Sequence, residues 1–299
     1  MPVTFAVVLT AIVVAGVVWA LSRSPSTPDP ADPEAEERWL VRWFGRHPRF
    51  GEAARALDRK VMGGLMAAIA LAIVFGTALA VGVVLDMVDE DAGLARWDSA
   101  VADWGSRHAS AWSTNVLDAL TDLGGTRYVV VIAVVVAVYD YVRHRNGNVV
   151  LFLFVVVAGV TTVNNVVKLL VDRERPPVLH LVGTSGSSFP SGHSAAAAAA
   201  WFAFALVVTR YSPRRGRAAA AAVAAVVTIA VAASRALLGV HWLTDVVAGV
   251  MLGWGWFLLV ALVFGGRLQR VGEPAERAAR QASAGVSRTP PTALSQRPR

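Results

Sequence analysis

The sequence predicts an all-α fold, a polytopic transmembrane helical bundle with a six-helix core and one additional N-terminal helix. Two features of composition and one of pattern carry that prediction. Of 299 residues, 55% are hydrophobic and 16% are charged, whereas soluble domains of this size carry about 25% charged residues. The charges gather into a few stretches instead of spreading along the chain. Between those stretches lie apolar runs, most of them near the ~20 residues that a helix needs to cross a bilayer.

The first run covers residues 2–21. No basic residue precedes it and no small-residue cleavage site follows, so an uncleaved anchor is expected over a signal peptide. The second run, 61–85, is uncharged, and the third, 128–142, is short and holds Asp140. The fourth, 149–171, passes Thr161, Thr162, Asn164 and Asn165 before Lys168. The fifth, sixth and seventh cover 194–209, 218–238 and 242–265. Hydroxyl and amide groups inside a span normally bond to a neighbouring helix, and that is the expectation for 161–165. Gly249, Gly253 and Gly255, with the Ala-rich runs after His193 and Arg217, point to close helix packing.

Orientation follows from the arginines. Arg38, Arg42, Arg46, Arg49, Arg55, Arg59 and Lys60 crowd one connection, and Arg143, Arg145, Arg210 to Arg217 and the tail after Arg267 are basic too. Seven alternating spans put all of them on one side, the cytoplasmic one. The stretches 86–127 and 172–190 then face outward. A multi-pass protein of the plasma membrane is expected, in contact with the lipid bilayer. The net charge of +7 is explained by these flanks, so no nucleic-acid partner is expected. The absence of cysteine excludes disulfides, thiolate nucleophiles and Cys-ligated zinc.

The expected division is an anchor (1–22), a basic cytoplasmic linker (23–60), a membrane catalytic domain (61–266) and a disordered cytoplasmic tail (267–299). In the outer stretch 92–127, Trp97, Val101, Trp104 and His108 share one helical face, with Trp112 near the same side. A helix lying along the outer leaflet, or packed on the bundle, is expected there.

Three short blocks carry the chemistry: Lys168 to Arg175-Pro176, then Pro190-Ser191-Gly192-His193, then Ser234-Arg235 to His241 and Asp245. Each lies at the outward end of an apolar run, so all reach one membrane depth. His241 and Asp245 are four apart and share a helix face. The carboxylate can hold one imidazole nitrogen and leave the other free to attack. Pro190 to His193 opens a helix, whose unpaired N–H groups bind anions. Gly192 allows close approach, and Ser191 can add a hydroxyl donor. Lys168, Arg175 and Arg235 can surround the oxygens of a phosphate. Taken singly, these pieces are ordinary caps, structural pairs or snorkelling residues. Their joint occurrence at one depth gives the signal, and a charge such as Arg235 on an apolar helix is costly and normally functional. His180, Arg173, Glu174 and Asp172 are assigned to the loop rather than to the chemistry.

These three blocks resemble the signature of the type 2 phosphatidic acid phosphatase (PAP2) superfamily, which includes vanadium haloperoxidases. Its pattern is Lys-x6-Arg-Pro, Pro-Ser-Gly-His and Ser-Arg-x5-His-x3-Asp, and all three parts are intact here. The resemblance covers about 61–265 and a six-span core. It implies that His241 is a nucleophile forming a phosphohistidine, that Asp245 orients it, and that His193 protonates the leaving group and then helps activate water. It implies that Lys168, Arg175, Arg235, Ser191 and the Gly192 N–H hold the phosphate. No cofactor and no metal are implied; one motif carboxylate is too few for a Mg²⁺ site. The expected activity is hydrolysis of a lipid phosphate or diphosphate of the polyprenyl, phosphatidylglycerol phosphate or phosphatidic acid class. The alternatives are a haloperoxidase-like enzyme using vanadate and a non-catalytic membrane protein with a relic site.

Overall fold

The structure, a computed structural model, describes residues 59–144, 147–183 and 186–268. Their order is α1 (Arg59–Asp89), a 3-10 turn (Gly93–Trp97), α2 (Asp98–Arg107), α3 (Ala111–Asp122), α4 (Thr126–His144), α5 (Gly147–Val171), α6 (Gly192–Thr209), α7 (Arg214–Leu237) and α8 (Leu243–Leu268). No strand occurs among the described residues. The N-terminal anchor lies outside them. So do the linker and tail, apart from the few residues that begin α1 and end α8. Residues 69–264 belong to one compact unit. Residues 59–68 and 265–268 belong to a second, of which nothing further is described.

Among the described residues, five helices are long and apolar enough to cross a bilayer: 67–89 of α1, then α5, α6, α7 and 243–264 of α8. Together α3 and α4 qualify as a sixth, bent by 46° at the break between them. This is the all-helical membrane bundle expected. The bend falls at Gly124, where a Cβ would come within 2.6 Å of the His193 carbonyl oxygen. Large apolar side chains such as Leu169, Leu170, Val131 and Phe75 point outward. Such a surface is stable against lipid, not water.

At the centre stands α6. Its Ala195, Ala198, Ala199 and Ala200 are fully buried, and small side chains let α4, α5, α7 and α8 pack close to it. Cβ atoms at Gly249 and Gly253 would lie 2.5 Å from the Ser191 oxygen and 2.2 Å from the Ala195 oxygen. One at Gly255 would lie 2.0 Å from Thr77 Oγ1 of α1. These glycines therefore set helix contacts, as their spacing predicts. At the other end of the bundle, Asp140 of α4 is buried and pairs with Arg210 at 2.7 Å.

Two expectations are corrected. Thr161 and Thr162 donate to the Val157 and Ala158 carbonyls one turn back, at 2.9 Å each, not to a neighbouring helix. A hydroxyl four residues along satisfies itself on its own helix without a partner. The outer stretch is also not one helix with one face. Ser110 starts α3 with a capping box, which breaks the run. Trp97 and Trp112 are exposed, whereas Val101 and Trp104 pack against Leu117, Leu237, Leu238 and Val240.

Candidate active site

The site forms where four helix ends meet. Residue Lys168 lies in the last turn of α5 and Arg235 in the last turn of α7. Both Gly192 and His193 open α6, and Asp245 lies in the first turn of α8. Helix α5 stops at Asp172, which takes a left-handed φ of 42°, a conformation that aspartate tolerates better than most side chains. The chain leaving α7 turns at Gly239, whose φ is 73°. A Cβ there would meet Val178 Cγ2 at 2.8 Å. The turn delivers His241 beside the end of the helix that carries Arg235.

A cavity of about 500 Å³ is lined by Lys168, Arg175, Gly192, His193, Arg235 and His241, with Asn164 and Thr161 on its other wall. That size suits a small ligand or head group. Six of the eight residues singled out from the sequence therefore share one space. Asp245 stands behind His241. The Ser191 hydroxyl caps α6, accepting from Ser194 Oγ at 2.9 Å, and does not line the cavity.

The cations are set by backbone carbonyls. Both Lys168 Nζ and Arg175 Nη2 donate to the Ser187 carbonyl. Arg175 also donates from Nη1 to Val240 O at 2.6 Å and from Nε to Gly186 O at 3.1 Å. Burial lowers the Arg175 pKa from the usual guanidinium range, and Asp245 opposes that shift. Arg235 is 5% exposed and donates to Thr121 Oγ1 at 3.3 Å, while its Nε has no partner among the described residues. A buried cation in that condition calls for an anion.

The imidazole of His241 is 3% exposed. Burial pushes its pKa from the ordinary 6.5 down to about 4, against the upward pull of Asp245. It is therefore neutral near pH 7, the state a nucleophile needs. Its Nδ1 faces Asp245 Oδ2 at 3.4 Å, long for a hydrogen bond. The same Oδ2 accepts the Trp242 N–H at 2.9 Å.

Sequence reasoning left Arg173 in the loop. The structure puts it against the Asp245 carboxylate: Nη1 reaches Asp245 Oδ1 at 2.6 Å and Nη2 reaches Asp98 Oδ2 at 2.9 Å. Asp98, at the start of α2, also accepts the Thr244 N–H at 2.9 Å and its hydroxyl at 2.6 Å. No motif spacing marks Asp98, and a charge in a segment between spans gives no hydropathy signal. Of the other loop residues, His180 is held by the Pro176 carbonyl at 2.9 Å, and Glu174 accepts through its backbone oxygen. Among the described residues, no three His, Asp or Glu side chains gather as a metal-ligating group.

Residues 149–269 match the model of the PAP2 superfamily. Phosphatidylglycerophosphatase B of Bacillus subtilis (strain 168) is 31% identical over 153 residues, which are 50% of this chain and 74% of that protein. The lipid A 1-phosphatase of Rhizobium etli is 35% identical over 125 residues, which are 38% of this chain and 49% of the relative. A crystal structure of a transmembrane PAP2-type phosphatidylglycerolphosphate phosphatase from Bacillus subtilis superposes with a TM-score of 0.59 and 25% identity. It covers 67% of this chain and 98% of the other. Matched motifs, helical order and relatives agree that the chain belongs to the PAP2 superfamily and is a multi-pass membrane phosphatase.

Proposed function

We propose that this protein hydrolyses a lipid phosphate or diphosphate at the outer face of the plasma membrane, through a phosphohistidine on His241. The observation that carries the reading is the joining of two cavities. The cationic one shares Thr126 and Thr161 with an apolar groove of about 550 Å³ between α4 and α5. That groove is lined by Val130, Ala133, Val134, Leu153, Phe154 and Val157. A phosphate and a hydrocarbon tail on one molecule fit this pair better than either alone. The names of the relatives support phosphatidylglycerol phosphate among the candidate substrates and add a lipid A 1-phosphate.

The steps follow from the geometry. Lys168, Arg175, Arg235 and the Gly192 N–H hold the non-bridging oxygens and offset the charge that builds on them. The Nε2 of His241 attacks phosphorus while Asp245 holds Nδ1–H. The bond to the leaving oxygen breaks, and His193 gives that oxygen a proton. Water then attacks the phosphohistidine, His193 takes its proton back, and inorganic phosphate leaves. No step needs a metal. The catalytic domain spans 61–266, and the basic segments on either side lie in the cytoplasm.

The test is phosphate release by purified protein in detergent, over a panel of polyprenyl and glycerophospholipid phosphates. His241→Ala should release no phosphate while eluting as folded protein. Turnover near the wild-type rate in that variant would remove the covalent mechanism.

A further inference from the structure

We infer that Arg173 and Asp98 are positioning residues that fix the Asp245 carboxylate and set the charge felt by His241. The inference rests on the proposed nucleophilic role of His241.

Asp245 is fully buried, and a buried carboxylate without a matching charge is strongly destabilised. Its two oxygens are divided. Arg173 takes Oδ1, while Oδ2 accepts the Trp242 N–H and faces His241 Nδ1 at 3.4 Å. That division fixes the carboxylate plane, and with it the place of the negative charge that faces His241 Nδ1. Arg173 is fixed in turn. Its guanidinium lies 5.3 Å over the Trp242 ring, and its Nη2 is held by Asp98, itself 5% exposed.

Asp98 comes from a different part of the chain and does two jobs. It supplies the counter-charge to Arg173, and it accepts the Thr244 N–H near the start of α8, one of the donors a helix start leaves unpaired. Helix α2 is seated firmly enough for this. A Cβ at Gly105 would lie 2.4 Å from the Leu237 carbonyl oxygen at the end of α7.

Charge counting gives the consequence. Asp98, Asp245 and Arg173 sum to one negative charge, which balances the positive charge on the imidazole as Nε2 bonds to phosphorus. Removing Arg173 leaves two negative charges, and removing the charge of Asp98 leaves none. The other groups around His241 stay constant: Arg235 from α7, Arg175 from the loop, His193 from α6 and Lys168 from α5. Arg173 does not line the cavity, so its effect reaches substrate only through Asp245 and His241.

The experiment compares wild type, Arg173→Gln, Arg173→Lys and Asp98→Asn as full-length protein in detergent. It measures kcat and KM against pH, after elution as folded protein is checked. Arg173→Gln should move the acid limb of kcat/KM up by about one pH unit, since an uncompensated carboxylate favours the imidazolium. Asp98→Asn should move it down or leave it at its lower edge. In Arg173→Gln, kcat should fall about tenfold with KM within about threefold. Arg173→Lys should recover part of the loss. A purely structural role would lower the yield of folded enzyme, or move both limbs together. Coincident limbs, or shifts of the same sign, overturn the inference. If Arg173→Gln does not fold, Arg173→Lys and the near-isosteric Asp98→Asn decide it. Turnover retained by His241→Ala would sink the nucleophile itself; an inactive His241→Ala with coincident limbs would sink only the clamp.

Discussion

The backbone N–H of Ser191 donates to the carbonyl oxygen of Asp245 at 3.0 Å. This bond joins the start of α6, which carries Gly192 and His193, to the start of α8, which carries the Asp245 carboxylate. One turn further along, Gly249 and Gly253 press α8 onto the same stretch of α6. The relative placement of His193 and His241 is thus set by backbone contact, which leaves little room for adjustment.

It follows that Gly253→Leu should fail. Its side chain would have to displace the carbonyl of Ala195, a fully buried residue. Overpacking of this kind costs about 1–3 kcal/mol or more. Thermal unfolding in detergent should show a midpoint several degrees lower, with phosphate release falling in proportion to folded protein. Gly147→Ala, where a Cβ meets nothing within 4 Å, is the matched control and should behave as wild type.

The pH profile follows from His241. Burial depresses its pKa from 6.5 to about 4. Between those values the unfolded chain binds more protons than the folded one, so stability rises with pH. The contribution of His241 is therefore present above pH 6.5 and is lost as pH falls towards about 4. For catalysis, the neutral nucleophile persists to about pH 4. After correction for the second ionisation of the substrate phosphate, about 6, the acid limb of kcat/KM that His241 sets should lie below pH 5. An acid limb at the ordinary histidine value would mean that the His241 ring is solvated.

The sequence displayed the bundle and the cavity unequally well from the rest. Membrane helices are legible because each must satisfy its own backbone and meet lipid with apolar side chains. The cationic cage is legible because charges at span ends are conspicuous against such runs. Asp98 and Arg173 lie in two separate segments between spans, where charge is ordinary, and only folding brings them within 2.9 Å of each other. Ser191 was readable as a polar residue beside the site, but whether its hydroxyl faces a ligand or caps α6 depends on a rotamer. The division of 92–127 was hidden because Ser110 competes with a helical pattern that otherwise runs through it.

Asp140 and Arg210 make a case for structure without chemistry. Asp140 is buried and its partner Arg210 half-buried, at the end of the bundle opposite the site. Removing Asp140 strands the Arg210 charge, which costs about 3 kcal/mol or less where water still reaches it. Asp140→Ala should therefore lower the unfolding midpoint while leaving kcat of the surviving folded enzyme within about twofold. A tenfold fall in kcat at unchanged folding would show that the far end of α4 communicates with the site.

The orientation can be read independently of activity. Arginine-rich segments favour the cytoplasmic side, and Arg210, Arg214, Arg215 and Arg217 cluster at the end of α6 and the start of α7. The site lies at the other ends of those helices. A reporter inserted at exposed Leu179 should signal from outside the membrane, and one at exposed Tyr211 from the cytoplasm. A cytoplasmic signal at Leu179 would turn the enzyme over. Its substrate would then have to be a lipid of the inner leaflet, and the charge rule would have failed on a chain in which four basic segments agree.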